Sequence, residues 1–312
     1  MDGNIKHVLV TGGAGFIGSH LARRLLAEGR DVTVVDNLSN GLKSNLPEGV
    51  NFICADLTGE KAIDELENIP FDAVFHLAAQ SSGALSFANP LLDMKSHVLP
   101  TFNIAQLCLK KQVSRFMYAS STTIYGEPQY LPVDEKHPQN PKTYYSAGKV
   151  AGERYLNFFG SKGLAYTILR LPNVYGPGQN LNNKDQGMIS IYLSYILEGS
   201  PIIVKGLSNR FRDFVYIDDV VDGWMLAFSD SIAIGKTYNL ASGAKSTVAN
   251  VLEELKTAYN KPDYPVEYID GTPGDQLGME VDISLINSEL GYTPKIDLST
   301  GIKRLSEMEV SR

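Results

Sequence analysis

The chain has 312 residues, about twice the usual length of a single domain, which favours one large α/β unit with a smaller companion domain. Charged residues make up 20% and hydrophobic residues 43% of the chain, a globular composition that excludes a disordered or fibrous protein. The formal net charge of −7 provides no global positive field, so neither nucleic acid nor an anionic membrane is expected as a partner.

The first half of the sequence alternates nearly continuous apolar runs with helical patterns. Such runs are typical of strands that are covered on both faces. Strands are predicted at residues 7–11, 31–35, 51–55, 73–78, 115–120 and 166–171, and helices at 17–28, 99–111 and 146–159. Repeated βα units with right-handed crossovers predict an α/β fold of the Rossmann type, with a doubly wound parallel sheet.

The pattern changes after Pro172 to turns rich in Asn, Gly and Pro with shorter elements. We therefore expect one domain at residues 1–172 and a smaller, partly discontinuous C-terminal domain at 173–312. Segments near 212–241 are expected to return to the first domain, because 214–217 and 238–240 look like further buried strands of the main sheet.

Cysteine usage and hydropathy indicate the compartment. Cys54 and Cys108 are the two cysteines, with no CxxC and no His at metal-ligand spacing, so both are predicted to be buried free thiols and no metal is expected. The N-terminus carries no basic segment leading into an apolar one, and no apolar stretch reaches the ~18 residues that a transmembrane helix needs. A cytoplasmic location is the expectation.

A glycine-rich turn joins the first strand to the first helix. Its glycines are Gly12, Gly15 and Gly18, in GxxGxxG spacing, and Phe16 and Ile17 lie between the last two of them. Glycines permit a tight turn and a close approach of a pyrophosphate, and a helix N-terminus supplies N–H donors and a positive dipole. The turn therefore predicts a dinucleotide site.

The ends of the second and third strands complete this site. Asp36 would accept hydrogen bonds from the adenosine ribose hydroxyls. It would repel a 2′-phosphate, and Asn37 and the two residues after it include no Arg or Lys, so NAD is favoured over NADP. Asp56 and Leu57 would flank the adenine with a carboxylate and an apolar wall.

Tyr145 and Lys149 are four residues apart on a predicted helix, so their side chains share one face. An ammonium beside a phenol favours the phenolate and moves the Tyr pKa down from its ordinary value near 10, which makes the phenol a useful base.

At this point the chain resembles the extended short-chain dehydrogenase/reductase family, and within it the sugar-nucleotide enzymes similar to UDP-glucose 4-epimerase. The resemblance covers nearly the whole length. Its motifs are Thr11-Gly-Gly-Ala-Gly-Phe-Ile-Gly18, Asp36-Asn-Leu-Ser-Asn-Gly41, His76-Leu-Ala-Ala79, Ser120-Ser-Thr-Thr-Ile-Tyr-Gly126, Tyr145-Ser-Ala-Gly-Lys149, Arg170-Leu-Pro-Asn-Val-Tyr-Gly-Pro177, Arg212-Asp-Phe-Val-Tyr-Ile-Asp-Asp219 and Pro273-Gly-Asp275.

The resemblance implies roles for particular residues. Tyr145 would be the base and acid at the sugar hydroxyl, Lys149 would bind the nicotinamide ribose, and Ser121 would hydrogen-bond the sugar oxygen. The remaining implied contacts are Leu77, Ala78 and Ala79 for the cofactor, and Thr122, Thr123, Asn173, Arg212 and Asp275 for a nucleotide-diphosphate sugar, with a UDP-sugar the expected partner. The resemblance also implies a homodimer built through the helices at 99–111 and 146–159.

Thr122 and Thr123 decide among sister activities of the family. The 4,6-dehydratases carry an Asp-Glu pair after the residue that matches Ser121, and the related decarboxylases carry a Glu at the position of Thr123. Neither carboxylate is present in this chain. C4 epimerisation through a transient 4-keto sugar is therefore the expected chemistry.

The chain departs from the family pattern at three positions. Thr272 stands where a second phosphate-binding Arg is usual, and Lys205 or Arg210 are possible substitutes for it. His97 replaces an Asn, for which a structural role and a role in the active site both stay open. Pro100 replaces a Gly, at a place expected to be the start of a helix, where Pro is tolerated.

Competing interpretations are another enzyme of the same scaffold, such as a reductase, a dehydratase or an epimerase at another carbon, and a non-catalytic NAD-binding regulator. The regulator has no need of a Tyr whose pKa is tuned.

Overall fold

The computed structural model describes residues 5–81, 83–184, 186–271 and 277–310. The strands of this part are β1 (His7–Thr11), β2 (Asp31–Asp36), β3 (Asn51–Cys54), β4 (Ala73–His76), β5 (Arg115–Ser121), β6 (Tyr166–Leu171), β7 (Asn173–Tyr175), β8 (Ile202–Lys205), β9 (Phe211–Tyr216), β10 (Lys236–Asn239), β11 (Lys245–Thr247) and β12 (Val266–Ile269). The α-helices are α1 (Phe16–Ala27), α2 (Glu60–Glu67), α3 (Gly83–Ala88), α4 (Pro90–Lys111), α5 (Tyr144–Gly160), α6 (Met188–Glu198), α7 (Ile217–Ser229), α8 (Val248–Ala258), α9 (Ser284–Leu290) and α10 (Leu298–Val310).

The main sheet has seven parallel strands in the order β10-β6-β5-β4-β1-β2-β3. Strands β4, β5 and β6 are buried along their whole length, as strands with helices on both faces must be. The chain reverses its direction of winding at β1, so a crevice opens at the carboxyl ends of β1 and β4. This sheet confirms the predicted Rossmann-type fold.

The C-terminal part adds two small sheets, β11-β9-β7 and β12-β8. Strand β10 joins the main sheet beside β6, as expected for residues 238–240. The expectation that 214–217 also return there is wrong, because β9 pairs with β7 and β11 instead. A buried apolar run predicts a strand but carries no information about its neighbour. The division of the chain at residue 172 stays a prediction.

Helix α4 is longer than its sequence pattern suggests, because Asn89 caps it and Pro90 begins it. Pro100 lies in its interior rather than in a first turn, which corrects the expectation above. Because Pro has no N–H, the Ser96 carbonyl loses its helical hydrogen bond, yet α4 continues to Lys111.

The two cysteines have different surroundings. Cys108 is buried in α4, and burial raises the pKa of its thiol. Cys54 is exposed, contrary to prediction, because it ends β3 at the edge of the main sheet. Within the described part of the chain, no helix combines the length and the apolar character needed to cross a membrane.

Candidate active site

The glycine turn between β1 and α1 is packed too closely against neighbouring main chain to accept side chains. A Cβ on Gly12, whose φ is +70°, would lie 2.7 Å from the Ala78 main-chain nitrogen, and a Cβ on Gly18 would lie 2.3 Å from the Gly12 oxygen. Helix α1 begins after Gly15 with no side-chain cap and no acid in its first turn. Its first N–H groups, on Phe16 and Ile17, lack intrahelical acceptors by position, so they suit a pyrophosphate.

Asp36 lies at the carboxyl end of β2, where the ribose of a dinucleotide is expected. Its two carboxylate oxygens accept hydrogen bonds from the main-chain nitrogens of Ala14 (3.0 Å) and Leu38 (2.8 Å). Each oxygen has a second lone pair that remains available in principle for a ribose hydroxyl. The turn and the strand end thus fit NAD, although the ribose contact itself stays a prediction.

The other predicted cofactor contacts surround the same crevice. Asn37 and Asp56 are exposed, and each of their side chains accepts a hydrogen bond from a main-chain nitrogen two residues further on. Leu57 is buried in the apolar cluster that contains Val35 and Val74. Leu77, Ala78 and Ala79 follow β4 and are half-buried beside the glycine turn.

Ser121, Tyr145 and Lys149 meet at the carboxyl end of β5. Ser121 ends that strand, and its hydroxyl is close enough to the Tyr145 phenol to oppose the rise in the pKa of that phenol. Lys149 is buried one helical turn after Tyr145, and its Nζ donates a 2.7 Å hydrogen bond to the Ala119 carbonyl. The same Nζ lies 6.0 Å from the centre of the Tyr145 ring. The structure therefore brings together the three residues predicted to be catalytic.

Burial dominates the electrostatics of this group. It raises the pKa of Tyr145, against the effect of the Ser121 hydroxyl, and it lowers the pKa of Lys149 to about 8, against the Glu153 carboxylate. The lowering of the Tyr145 pKa by Lys149 stays a prediction for the cofactor-bound protein.

A cavity of about 60 Å³ lies next to Ser121. Its lining residues are Thr122, Thr123, Pro172, Asn173, Arg212, Asp213, Met279 and Val281. Four of the residues predicted to bind substrate therefore share one cavity. A groove of about 460 Å³ lies between α1 and α7 and contains none of the predicted site residues.

Arg212 is half-buried at this cavity. Burial, with a smaller repulsion from Arg210, lowers the pKa of Arg212 to about 10. A desolvated cation beside a second cation favours an anionic ligand. Asn173 lies in strand β7 rather than in a plain turn, and its amide donates a 3.1 Å hydrogen bond to the Asp213 carbonyl.

The expected substitutes for a second phosphate-binding Arg are placed differently. Arg210 is buried, and its guanidinium donates to the main-chain carbonyls of Lys205 and Leu207. Arg210 therefore stabilises its own loop, while the Lys205 side chain is exposed. Thr272 and Asp275 lie outside the described residues.

A buried ion pair beneath the site escaped the sequence analysis. Glu153 and Arg170 are 2% and 5% exposed and are joined by hydrogen bonds of 2.7 and 3.0 Å. Ser120 donates to the same carboxylate, and the Arg170 guanidinium also donates to the Tyr125 hydroxyl at 2.9 Å. Glu153 is four residues after Lys149 and therefore lies on the same, buried face of α5. A charged residue at such a position was the sequence signal that could have indicated a buried ion pair.

His97 lies against the predicted base. Its ring meets the Tyr145 ring edge to face, with 5.0 Å between the centroids. Its neighbour one turn earlier on α4 is Asp93, which the sequence analysis did not single out. No group of three His, Cys, Asp or Glu residues within the described ranges has the arrangement of a metal site.

Comparison with protein families gives a match to the NAD dependent epimerase/dehydratase family over residues 8–241. A UDP-glucose 4-epimerase of Mycolicibacterium smegmatis is 33% identical over 306 residues, covering 96% of this chain and 97% of the relative. A UDP-glucuronic acid decarboxylase of Arabidopsis thaliana is 30% identical over 308 residues, covering 96% and 88%. Relatives at moderate identity thus include sister activities.

Solved structures agree with this match. The UDP-glucose 4-epimerase of Thermotoga maritima, solved with UDP-glucose, has a TM-score of 0.94 and 33% identity, with 98% of this chain and 99% of that chain covered. The UDP-glucose 4-epimerase of Thermus thermophilus, solved with NAD, has a TM-score of 0.89 and 34% identity, with 96% and 98% covered. The chain therefore belongs to the NAD dependent epimerase/dehydratase family of nucleotide-sugar enzymes, and NAD is its cofactor.

Proposed function

We propose that the protein catalyses the NAD-dependent C4 epimerisation of a UDP-hexose. The observation that carries this proposal is the neighbourhood of Ser121, Tyr145 and Lys149, which adjoins a cavity lined by Thr122 and Thr123 where sister enzymes carry carboxylates. A site of this kind supports removal and return of hydride without elimination.

In the proposed mechanism Tyr145 removes the proton of the sugar O4, while Ser121 hydrogen-bonds the same oxygen. The glycine turn and Asp36 would hold NAD, which would supply the hydride acceptor and donor for the sugar C4. Lys149 carries a positive charge below about pH 8 and favours the phenolate form of Tyr145. Tyr145 then returns the proton to O4 of the 4-keto sugar.

Dehydration and decarboxylation are the main alternatives within the family. Asp213 is the acid among the described residues that line the cavity, and its carboxylate accepts hydrogen bonds from Ser242 and the Gly243 main chain. These bonds orient it as a structural group. The absence of a carboxylate at Thr122 and Thr123 supports epimerisation over both alternatives.

The nucleotide-sugar end of the proposal depends on Arg212. A half-buried guanidinium at the cavity can make two charge-assisted bonds to diphosphate oxygens, and Asn173 lies beside it. A structural neighbour was solved with UDP-glucose, which supports UDP as the nucleotide.

A single incubation separates the proposed activity from a reductase. The purified protein with UDP-glucose should convert the sugar with no net change in NADH absorbance, whereas a reductase consumes added NADH. UDP-N-acetylglucosamine and UDP-glucuronate in parallel reactions identify the sugar accepted. Bound NAD with no conversion of any of the three would favour the regulator instead.

Activity should fall above about pH 8, because Lys149 then loses the proton that favours the Tyr145 phenolate. A Lys with a pKa of about 8 is charged below that pH and neutral above it. Lys149→Arg should lower kcat, since the Arg fork fits the Lys position poorly, but it should move the alkaline limb of the pH profile upward because Arg keeps its charge. An alkaline limb that is the same in both proteins would contradict this role.

We also propose that the protein is a homodimer built through α4 and α5. Apolar side chains on the outer faces of these two packed helices are exposed, which is typical of an interaction surface. They are Leu91, Leu92, Met94 and Leu99 on α4, and Tyr155 and Phe158 on α5. A second copy of the chain would bury them across a two-fold axis.

Phe158→Glu should convert the dimer to a monomer in sedimentation velocity, because a carboxylate would be buried at the interface. Tyr268→Glu is the matched control, since Tyr268 is an equally exposed aromatic residue on β12, with 54% exposure against 58% for Phe158. A wild-type protein that sediments as a monomer, or a Phe158→Glu protein that stays dimeric, would contradict the proposal.

A cytoplasmic location completes the proposal. Cys54 is exposed and Cys108 is buried, and neither is bonded to the other. Free thiols of this kind persist in reducing compartments. Fractionation of cells that express the protein tests the location.

A further inference from the structure

An acid and an imidazole are buried together behind Tyr145. Asp93 and His97 are one turn apart on α4, and the side chains of both are 0% exposed. Their contact joins His97 Nε2 to Asp93 Oδ1 at 3.3 Å. Gln80 donates a 2.8 Å hydrogen bond to the same Oδ1, whereas Asp93 Oδ2 and both His97 ring nitrogens have no hydrogen-bond partner among the described residues. Buried polar groups without partners are costly, so this cluster calls for an explanation.

This pair reaches Tyr145 by two routes. The His97 ring meets the Tyr145 ring edge to face at 5.0 Å. The Ser86 hydroxyl accepts a 3.1 Å hydrogen bond from the Tyr145 main-chain nitrogen and also interacts with the Asp93 carboxylate. Asp93 is therefore connected both to the aromatic ring of Tyr145 and to its main chain.

Helix α5 leaves space for the imidazole. A Cβ on Gly148 would lie 2.8 Å from the His97 Cβ and 3.0 Å from its Cγ. The glycine thus lets α5 approach α4 closely enough for the His97 ring to lie under Tyr145. Because both sides of the ring are occupied, His97 has little freedom to turn.

We propose that Asp93 and His97 act as positioning residues for Tyr145, with the carboxylate holding the imidazole against the phenol ring and holding Ser86 against the main chain. This inference rests on the proposed function only in assigning the base to Tyr145. Neither residue lines the substrate cavity, so neither is a catalytic residue.

The charge of Asp93 gives the pair a measurable signature. Burial raises the pKa of Tyr145 and the Asp93 charge adds to that rise, while burial, with a contribution from Lys149, lowers the pKa of His97 and keeps the imidazole neutral. Other groups face the same place from the neighbouring elements. They are Lys149 on α5, Ser121 and Tyr118 on β5, and His76 on β4.

Asp93→Asn should lower kcat about tenfold at unchanged KM and shift the acidic limb of the pH profile downward by roughly 0.5 to 1 pH unit, since the charge that opposes the phenolate is lost. His97→Leu should also lower kcat but shift that limb upward, because the Asp93 charge loses its 3.3 Å contact with the polar imidazole, which partly compensates it. His97→Gln keeps an N–H at a similar reach and should restore most of both quantities. If Asp93 and His97 had a purely structural role, the acidic limb of the pH profile would not shift in opposite directions in Asp93→Asn and His97→Leu.

A second readout needs no substrate. In protein labelled with ¹³C at the tyrosine Cζ, the Tyr145 resonance is identified by its loss in Tyr145→Phe, and its pH titration follows the phenol directly in the NAD-bound protein. Asp219→Asn is the control, because Asp219 is a buried carboxylate that binds the main chain of Lys295 and Ile296 away from the site.

The titration should move in opposite directions in Asp93→Asn and His97→Leu and stay unchanged in Asp219→Asn. An unchanged Tyr145 titration in both variants would overturn the inference, whether or not the protein turns over a sugar. A wild-type protein that fails to epimerise any sugar but shows the opposite shifts would overturn the proposed function alone.

Discussion

Replacing Tyr145 by Phe is expected to lower kcat for epimerisation by about two to four orders of magnitude. The change removes one hydroxyl, which is the group that takes the O4 proton and returns it, and positioned acid–base groups contribute about 10²- to 10⁴-fold to rates. The ring, its contact with His97 and the position of helix α5 are retained. KM and the NAD content of the purified protein should therefore change little.

Tyr144→Phe is the matched control for this experiment. Tyr144 precedes Tyr145 on the same helix turn and is 51% exposed, so its hydroxyl points away from the Ser121 and Lys149 neighbourhood. It should retain full activity. Near-normal turnover in Tyr145→Phe would refute the assignment of the base.

Replacing Arg170 by Met is expected to destabilise the protein by about 3 to 5 kcal/mol, the cost of leaving a buried charge without its partner. The Arg170 guanidinium binds Glu153 with two hydrogen bonds and also binds the Tyr125 hydroxyl and the Glu135 carbonyl. Glu153 would keep only the bonds from Ser120 and Gln139. Thermal unfolding with saturating NAD should show a fall in Tm of roughly 10 °C.

Two further variants serve as controls for this result. Arg24→Met removes the partner of Glu28 and Asp222 at the surface, where Arg24 is 41% exposed, and should cost at most about 1 kcal/mol. The double variant Arg170→Met with Glu153→Leu removes both charges and should recover much of the lost stability. If Arg170→Met and Arg24→Met had equal free energies of unfolding, the buried ion pair of Arg170 and Glu153 would not be the larger contributor to stability.

The main sheet was predictable because its strands, apart from the edge strand β3, are largely buried on both faces. Strands β1 to β6 have no polar alternation to obscure their length, and the predicted limits differ from the observed ones by at most two residues. The uniformly apolar character of these strands gives no information about the order in which they pair. Residues 214–217 look like a main-sheet strand, yet β9 pairs with β7, because pairing depends on residues distant in the chain.

Local sequence also gave no indication of which strand is an edge strand. Cys54 is apolar enough to suggest burial, but β3 has a neighbour on one side only and its last residue is exposed. Pro100 was expected at a helix start because Pro usually interrupts a helix. Pro100 is buried in the middle of α4, and helices in proteins are stabilised mainly by tertiary packing, so α4 continues through it.

Some residues of the candidate site could be predicted from local sequence, and others could not. Tyr145 and Lys149 follow from spacing on one helix, and Ser121 follows from its motif at a strand end. Glu153 and Asp93 were missed because a buried carboxylate is understood only with its partners, which lie on other strands and helices. Sequence spacing reports neighbours within an element and not contacts between elements.

The most direct test of the proposed epimerase is a proton NMR measurement of UDP-glucose incubated with the NAD-bound protein in D₂O. Because the hydride is expected to leave C4 and return to it without contact with solvent, we expect UDP-galactose whose C4 proton is retained in full. Deuterium at C4, loss of water from the sugar, or no inversion of any nucleotide hexose supplied would contradict the proposed C4 epimerisation.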